Sequence, residues 1–319
     1  MSADGSVVVG GSEVVDEAEE DNSPQSRAFR WTAKTGMQDL GTLGGAESWA
    51  SGVSADGSVV VGMALNARYR TRAFRWTVKT GMLNLGTLPG YEDSIFADGV
   101  SADGSVVVGV AQHYDSRSRA FRWTAKAGMQ NLGTLGGGHS HAFAVSAGGS
   151  VVVGWARNAR GQKRAFLWTA AGGMQDLGTL GGAESHAYGM SAEGSVVVGW
   201  AENARGQWRA FRWTAKTGMR DLGMLGGAEG VAYGVSADGS VVVGMALDAR
   251  DQSLAFRWTA KTGMQDLNRL YASFLRDGSV LWDAYAVSPD GRYIVGQGYN
   301  AATKRAEAFL LDTLAKPSR

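Results

Sequence analysis

The chain of 319 residues contains four histidines, and three of them could meet. His141 and His186 each precede an Ala in equivalent stretches, where other copies carry Trp49, Phe96, Val231 and Asp283. His139 lies two residues before His141, on the same side of an extended strand. Imidazoles joined by a carboxylate make a Zn²⁺ ligand set. His139, His141, His186 and Asp283 are therefore the metal candidates, and a polar mouth without metal is the simpler account. There are no cysteines, which excludes thiolate ligands, disulfides and a Cys nucleophile.

The second chemistry is charge. The variable segments "MALNARYRT", "VAQHYDSRS", "WARNARGQK", "WAENARGQW" and "MALDARDQS" and their equivalent near the C-terminus recur at matching places. They carry Arg68, Arg70, Arg72, Arg117, Arg119, Arg157, Arg160, Lys163, Arg164, Arg205, Arg209, Arg250, Lys304 and Arg305. Asp115, Glu202, Asp248, Asp251 and Glu307 oppose them, and so does the first copy with Glu13, Asp16, Glu17, Glu19, Glu20 and Asp21. Placed on one rim, Arg68, Arg70, Arg117, Arg157, Arg160, Lys163 and Arg205 would form a basic crown. Such a crown attracts polyanions such as a sulfated glycan or lipopolysaccharide phosphate. The competing account is a solvated rim whose charge was copied by duplication. Net charge is +1, so bulk charge points to no specific nucleic-acid or membrane partner.

Other chemistry is missing from the sequence. "GTLGG" precedes no helix, so it is a strand exit rather than a phosphate loop, and no G-x-S-x-G elbow occurs. Asp39, Asp176, Asp221 and Asp266 are paralleled by Asn84 and Asn131, as in a structural position. Near-identical copies argue against catalysis, which needs a unique constellation. No cofactor is expected. No run of about 18 apolar residues exists, so no transmembrane helix is expected. "MSADGSVVVGGSEVV" lacks a basic segment ahead of a long apolar one, so no signal peptide is visible. The chain opens inside a repeat.

That repeat must position everything. "VSADGSVVVG" or a near-copy occurs seven times, its first Ser at Ser2, Ser54, Ser101, Ser146, Ser191, Ser236 and Ser288. The spacings are 52, 47, 45, 45, 45 and 52. A period near 45 suits a propeller blade or a helical solenoid. The 47 glycines and the lack of a 3.6-residue rhythm argue against helices. One unit reads as four strands: a at Ala187 to Met190, b at Ser195 to Trp200, c at Ala210 to Thr214 and d at Met219 to Gly223. Asp-Gly in the a–b joint predicts a tight hairpin with primed-turn angles. The Trp at 31, 76, 123, 168, 213 and 258 would pack between blades.

The chain thus supplies six a, seven b, seven c and six d strands. The expectation is an all-β fold, a β-propeller of four-stranded blades, seven in number with six as the alternative. It spans residues 1–312, with 313–319 as a tail. The a–b and c–d turns share one rim. The b–c loops and d–a connectors share the other, which is the candidate binding face because variation concentrates there.

"RAFRWT", "GMQDLGTLGG" and "AYGVSADGSVVVG" resemble the bacterial extracellular HAF repeat over about residues 1–312. Arg27, Arg72, Arg119, Arg164, Arg209, Leu254 and Glu307 stand where that family often has His. "VSPDGRYIVG" is similar to the Ser-Pro-Asp-Gly hairpin of TolB-type propellers. The resemblance implies export to the surface or medium, sometimes as an autotransporter passenger, and carries no settled activity. The resulting reading is a monomeric, non-enzymatic surface module for binding or adhesion to a protein or polyanionic glycan. A purely structural spacer and a hydrolase or lyase with a channel-mouth metal are the alternatives.

Overall fold

The computed structural model describes residues 1–14 and 25–315. The first sheet holds β1 (Val7–Val14), β2 (Gln25–Thr32) and β3 (Gly36–Asp39). The second holds β4 (Gly44–Val53), β5 (Val59–Asn66), β6 (Thr71–Thr77) and β7 (Gly81–Asn84). β8 (Ser94–Val100), β9 (Val106–Gln112), β10 (Ser118–Thr124) and β11 (Gly128–Asn131) follow in the same order. So do β12 (Gly136–Val145), β13 (Val151–Asn158), β14 (Lys163–Thr169) and β15 (Gly173–Asp176). Next come β16 (Gly181–Met190), β17 (Val196–Asn203), β18 (Trp208–Thr214) and β19 (Gly218–Asp221). β20 (Gly226–Val235), β21 (Val241–Asp248), β22 (Ser253–Thr259) and β23 (Gly263–Asp266) repeat the plan. After the one-turn α1 (Leu267–Leu270), β24 (Val280–Val287), β25 (Tyr293–Asn300) and β26 (Arg305–Asp312) complete the described chain.

Within each repeat, strands adjacent in sequence pair antiparallel, so each repeat is a meander; a parallel pairing, Ser118 with His139, joins β10 to β12 of the next repeat. The first sheet lacks strand a and the last lacks strand d, as the strand count predicts. Among the described residues no helix is long and apolar enough to cross a membrane. The chain divides into two compact units. Unit 1 is Met1–Val152, Ala156–Gly161 and Trp168–Met174, and unit 2 is Val153–Trp155, Gln162–Leu167 and Gln175–Arg319.

Each unit has its own core. Val61, Ile95, Val107 and Phe121 belong to one cluster of unit 1; Val198, Val242 and Phe256 belong to one of unit 2. The fully buried aromatic is the Phe of "AFRW", or of "AFLW" in β14, at Phe74, Phe121, Phe166, Phe211 and Phe256. The Trp two residues on is buried only at Trp76; Trp31 is 38% exposed and the others are half-buried. The Trp series therefore packs at the margin of the core, and the Phe series anchors it.

The repeated string owes its sameness to hydrogen bonding. Each Ser is almost wholly buried, and its Oγ accepts from the backbone N–H five residues on, as in Ser54 with Val59 at 3.0 Å and Ser236 with Val241 at 3.0 Å. Asp56 Oδ1 accepts from Ser54 Oγ (2.6 Å), Ser58 N (3.0 Å) and Ser58 Oγ (2.8 Å). Only Gly57 takes a positive φ, +71°. The joint is thus not a primed two-residue turn, as Asp-Gly predicts. It is a wider loop in which the carboxylate does the tying. The Ala of the same string links turn to turn: Ala3 N to Ala55 O, Ala55 N to Ala102 O and Ala102 N to Ala147 O in unit 1. In unit 2 Ala192 N donates to Ala237 O, and Ala237 N to Pro289 O. The second Arg of "RAFRW" adds a clasp, Arg75 Nε to Gly104 O and Arg122 Nε to Gly149 O, at 3.0 and 3.1 Å.

In β4, β12, β16 and β20 strand a is longer than the sequence suggests and begins at the Gly pair, for example at Gly181. Its early half crosses to the preceding repeat. Ser185 Oγ accepts from Ala165 N (2.9 Å) and donates to Gly178 O (2.6 Å), as Ser48 and Ser140 do at their own junctions.

Candidate functional site

The variable segment is mostly strand, and its loop shrinks to a hairpin tip. Asn203 Oδ1 accepts from Arg205 N (2.9 Å) and Gln207 N (3.1 Å), while Gly206 turns with φ +74°. Asn66 does the same for Arg68 N and Arg70 N, Asn158 for Arg160 N, and Asp248 for Arg250 N and Gln252 N. "N-A-R" is thus an Asx turn, in which a short polar side chain takes over the backbone's hydrogen bonds. These bonds hold the Asp248 carboxyl below the usual carboxylate range, the Gln252 amide first and then that of Arg250. Arg68, Arg160, Arg205 and Arg250 occupy one position at these tips and are all exposed.

The remaining basic residues divide by neighbour. Arg70 meets Asp93 at 3.4 Å and Arg117 meets Asp115 at 2.7 Å, both on the exposed surface. Arg157 is half-buried on β13. Lys163 holds its ammonium 5.2 Å from the Trp155 ring centre. The Arg before Ala-Phe is structural: Arg119 Nη1 donates to Gly138 O at 2.6 Å, and Arg72 Nη1 to Asp93 O at 3.0 Å. Arg209 forks onto Asp221, Nε–Oδ2 2.9 Å and Nη2–Oδ1 3.2 Å, with Nη1 against the Met224 sulfur. The crown is therefore less positive than its residue count. Of the opposing acids, Glu13 is exposed on β1, whereas Asp16, Glu17, Glu19, Glu20 and Asp21 lie outside the described residues.

In unit 2 a cleft of about 650 Å³ opens between two of these tips. Arg205 and Gln207 stand on one side, Ala249 and Asp251 on the other, and Met224 with Gly226 to Ala228 form the connector wall. The b–c tips and d–a connector thus share a face, as the strand directions predict. Beside the Arg209–Asp221 pair, Arg205 and Asp251 are the charged side chains that line the cleft.

The metal candidates take other partners. His141 Nε2 lies 2.9 Å from Asp98 Oδ2, and its ring packs on Phe143 at 4.3 Å. His139 Nδ1 faces Ser118 Oγ at 3.5 Å. Burial, then the charges of Arg157 and Arg119, keep the His139 imidazole below its ordinary pKa. His186 is buried and stacked on Trp200 at 4.5 Å. Burial raises the Asp283 carboxyl, and burial followed by the Asp283 charge raises the nearby Tyr233 hydroxyl. Among the described residues no three His, Asp or Glu side chains are grouped as metal ligands.

One assembly escapes the sequence reading. In unit 2 ring follows ring: Trp155 to His186 (5.6 Å), His186 to Trp200 (4.5 Å) and Trp200 to Trp208 (4.9 Å). A branch runs Tyr188 to Tyr233 (5.9 Å) and Tyr233 to Tyr285 (5.5 Å). The available signal was departure from the repeat. Where β18 has Trp208, β6, β10 and β22 have Thr71, Ser118 and Ser253.

The fold is that of a β-propeller, its four-stranded antiparallel sheets matching blades in solved structures. The β-propeller domain of the Trilobed protease from Pyrococcus furiosus superposes with TM-score 0.63 at 10% identity, covering 97% of this chain and 92% of that one. TolB from Acinetobacter baumannii gives 0.52 at 11% identity, over 79% of this chain and 60% of TolB. A puromycin-hydrolyzing peptidase of Mycobacterium tuberculosis gives 0.56 at 14%, over 99% and 53%. The chain thus spans about three fifths of TolB and half of the peptidase. No protein-family model matches the chain, and no curated protein matches it.

Proposed function

We propose that the chain is an exported, non-catalytic binding module built of HAF-type repeats, seven blades over residues 1–312, which engages its ligand through the b–c tips. One observation carries the reading. Four tips hold Arg68, Arg160, Arg205 and Arg250 at the same position of the same Asx turn, aimed at solvent. Exposed arginine on a preformed turn loses little backbone freedom on binding a sulfate, phosphate or carboxylate. Export rests on the resemblance to extracellular HAF repeats. Because the turns draw on backbone and Asn or Asp side chains, replacing all four Arg by Ala leaves the fold intact. The intact protein is expected to bind immobilised heparin at low salt and elute as salt rises. The fourfold variant elutes with the flow-through. Equal retention of both proteins, or none by the parent, removes the reading.

A further inference from the structure

Trp208 is 45% exposed, although it lies on a strand whose next two residues are buried. Its underside is covered by Trp200, the two indoles inclined by 28°. Trp200 is 6% exposed, stacks at 19° on His186, and donates from Nε1 to Tyr188 Oη at 3.2 Å. Three rings deep, the stack fixes the Trp208 plane before any ligand arrives, so binding against it costs little side-chain entropy. The register of β17 and β18 sets Glu202 opposite Trp208, on the same face of the sheet. Glu202 is itself held, its Oε2 accepting from Ala183 N (2.9 Å) and Glu184 N (3.2 Å).

We propose that the Trp208–Trp200 stack is the seat of a neutral sugar ring, part of an oligosaccharide lying across the β17–β18 hairpin. The apolar C–H face of a pyranose covers an indole and removes it from water. The hydroxyls at its edge donate to a carboxylate, which Glu202 supplies from the position opposite Trp208. The same carboxylate repels a phosphate or sulfate, so a nucleotide or a sulfated sugar fits this spot poorly. The inference rests on the reading of this rim as a binding face, and differs from it in ligand charge and in the residues used.

The test is calorimetric titration of the whole protein with neutral gluco-, xylo-, manno- and chito-oligosaccharides, with tetramethylammonium as a control. The chain has 11 Trp, so heat rather than fluorescence is the readout. At least one oligosaccharide is expected to bind, Trp208→Ala to weaken it about tenfold, and Trp208→Tyr to keep most of the affinity. Unchanged thermal unfolding of Trp208→Ala separates lost contact from lost fold; if that variant unfolds early, the Trp208→Tyr titration decides. The proposal is overturned if no oligosaccharide binds, if binding ignores Trp208, or if only the ammonium ion binds. Heparin retention by Trp208→Ala, together with sugar binding by the fourfold Arg variant, shows which of the two readings fails alone.

Discussion

Replacing Gly148 by Asp is expected to stabilise the protein. The fourth copy of the repeated string reads "VSAGGSVVVG", with Gly148 where Asp4, Asp56, Asp103 and Asp238 stand in other copies. The rest of the loop is unchanged: Ser146 Oγ accepts from Val151 N at 3.0 Å, and Gly149 keeps φ +71°. A Cβ on Gly148 would meet nothing within 4 Å, and its φ is not in the left-handed region. The new carboxylate therefore finds Ser146 and Ser150 where Asp56 finds Ser54 and Ser58. Losing a glycine from the unfolded chain stabilises by about 0.4–1 kcal/mol. Hydrogen bonds to an exposed carboxylate add a few tenths each after screening, so the total is about 1–2 kcal/mol. Urea unfolding of parent, Gly148→Ala and Gly148→Asp measures it, since Ala takes only the entropic part. The carboxyls of Asp56, Asp103 and Asp238 are held down to about 2, from 3.8, chiefly by the hydroxyl of the preceding Ser. A group with a depressed folded pKa stabilises above its unfolded value and loses that effect as pH falls through its folded one. The Asp-over-Ala advantage should thus be complete above about pH 5 and fade from pH 4 towards pH 2. An Asp no better than Ala at neutral pH, or equally better at pH 2, refutes the clamp.

Two further outcomes test the scaffold. Gly62→Ala places its Cβ far inside the contact distance of the Trp49 carbonyl oxygen and 2.9 Å from Ala50 Cα, with only backbone to yield. It should cost about 3 kcal/mol or more, read as a large drop in urea midpoint, whereas Gly138→Ala, with open space around it, should be nearly silent. Arg122→Leu removes the clasp to Gly149 O. It should cost about 1 kcal/mol for a partly exposed charged donor, and the native Leu167 at the same place in β14 shows that the side chain fits.

The repeat made the sheets legible because each strand is bounded by turn residues and each copy repeats the evidence. Strand length was harder to read. The Gly pair at Gly181–Gly182 looks like a loop by composition, yet it is strand, and Gly182 is Gly because β16 lies so close to β17 that a Cβ there would collide with Glu202 and the Asn203 carbonyl. Turn geometry was misread for a related reason: Asp-Gly carries a backbone signal, and here the deciding atom is a side-chain oxygen. The candidate site was half legible. The tip arginines could be named because they recur, but recurrence hid which of their neighbours were already spent, as Arg209 is on Asp221. The metal candidates take separate partners, because equivalence between copies does not bring side chains to one point, and His141 pairs with Asp98 on another strand. The aromatic stack shows the complement. Trp208 has no counterpart, so no periodic signal marks it, and only the register that sets it beside Trp200 makes it a platform. In a chain built by copying, sameness therefore reports what the fold requires. Function is to be sought where a copy departs from its siblings and its neighbours have rearranged to hold the departure in place.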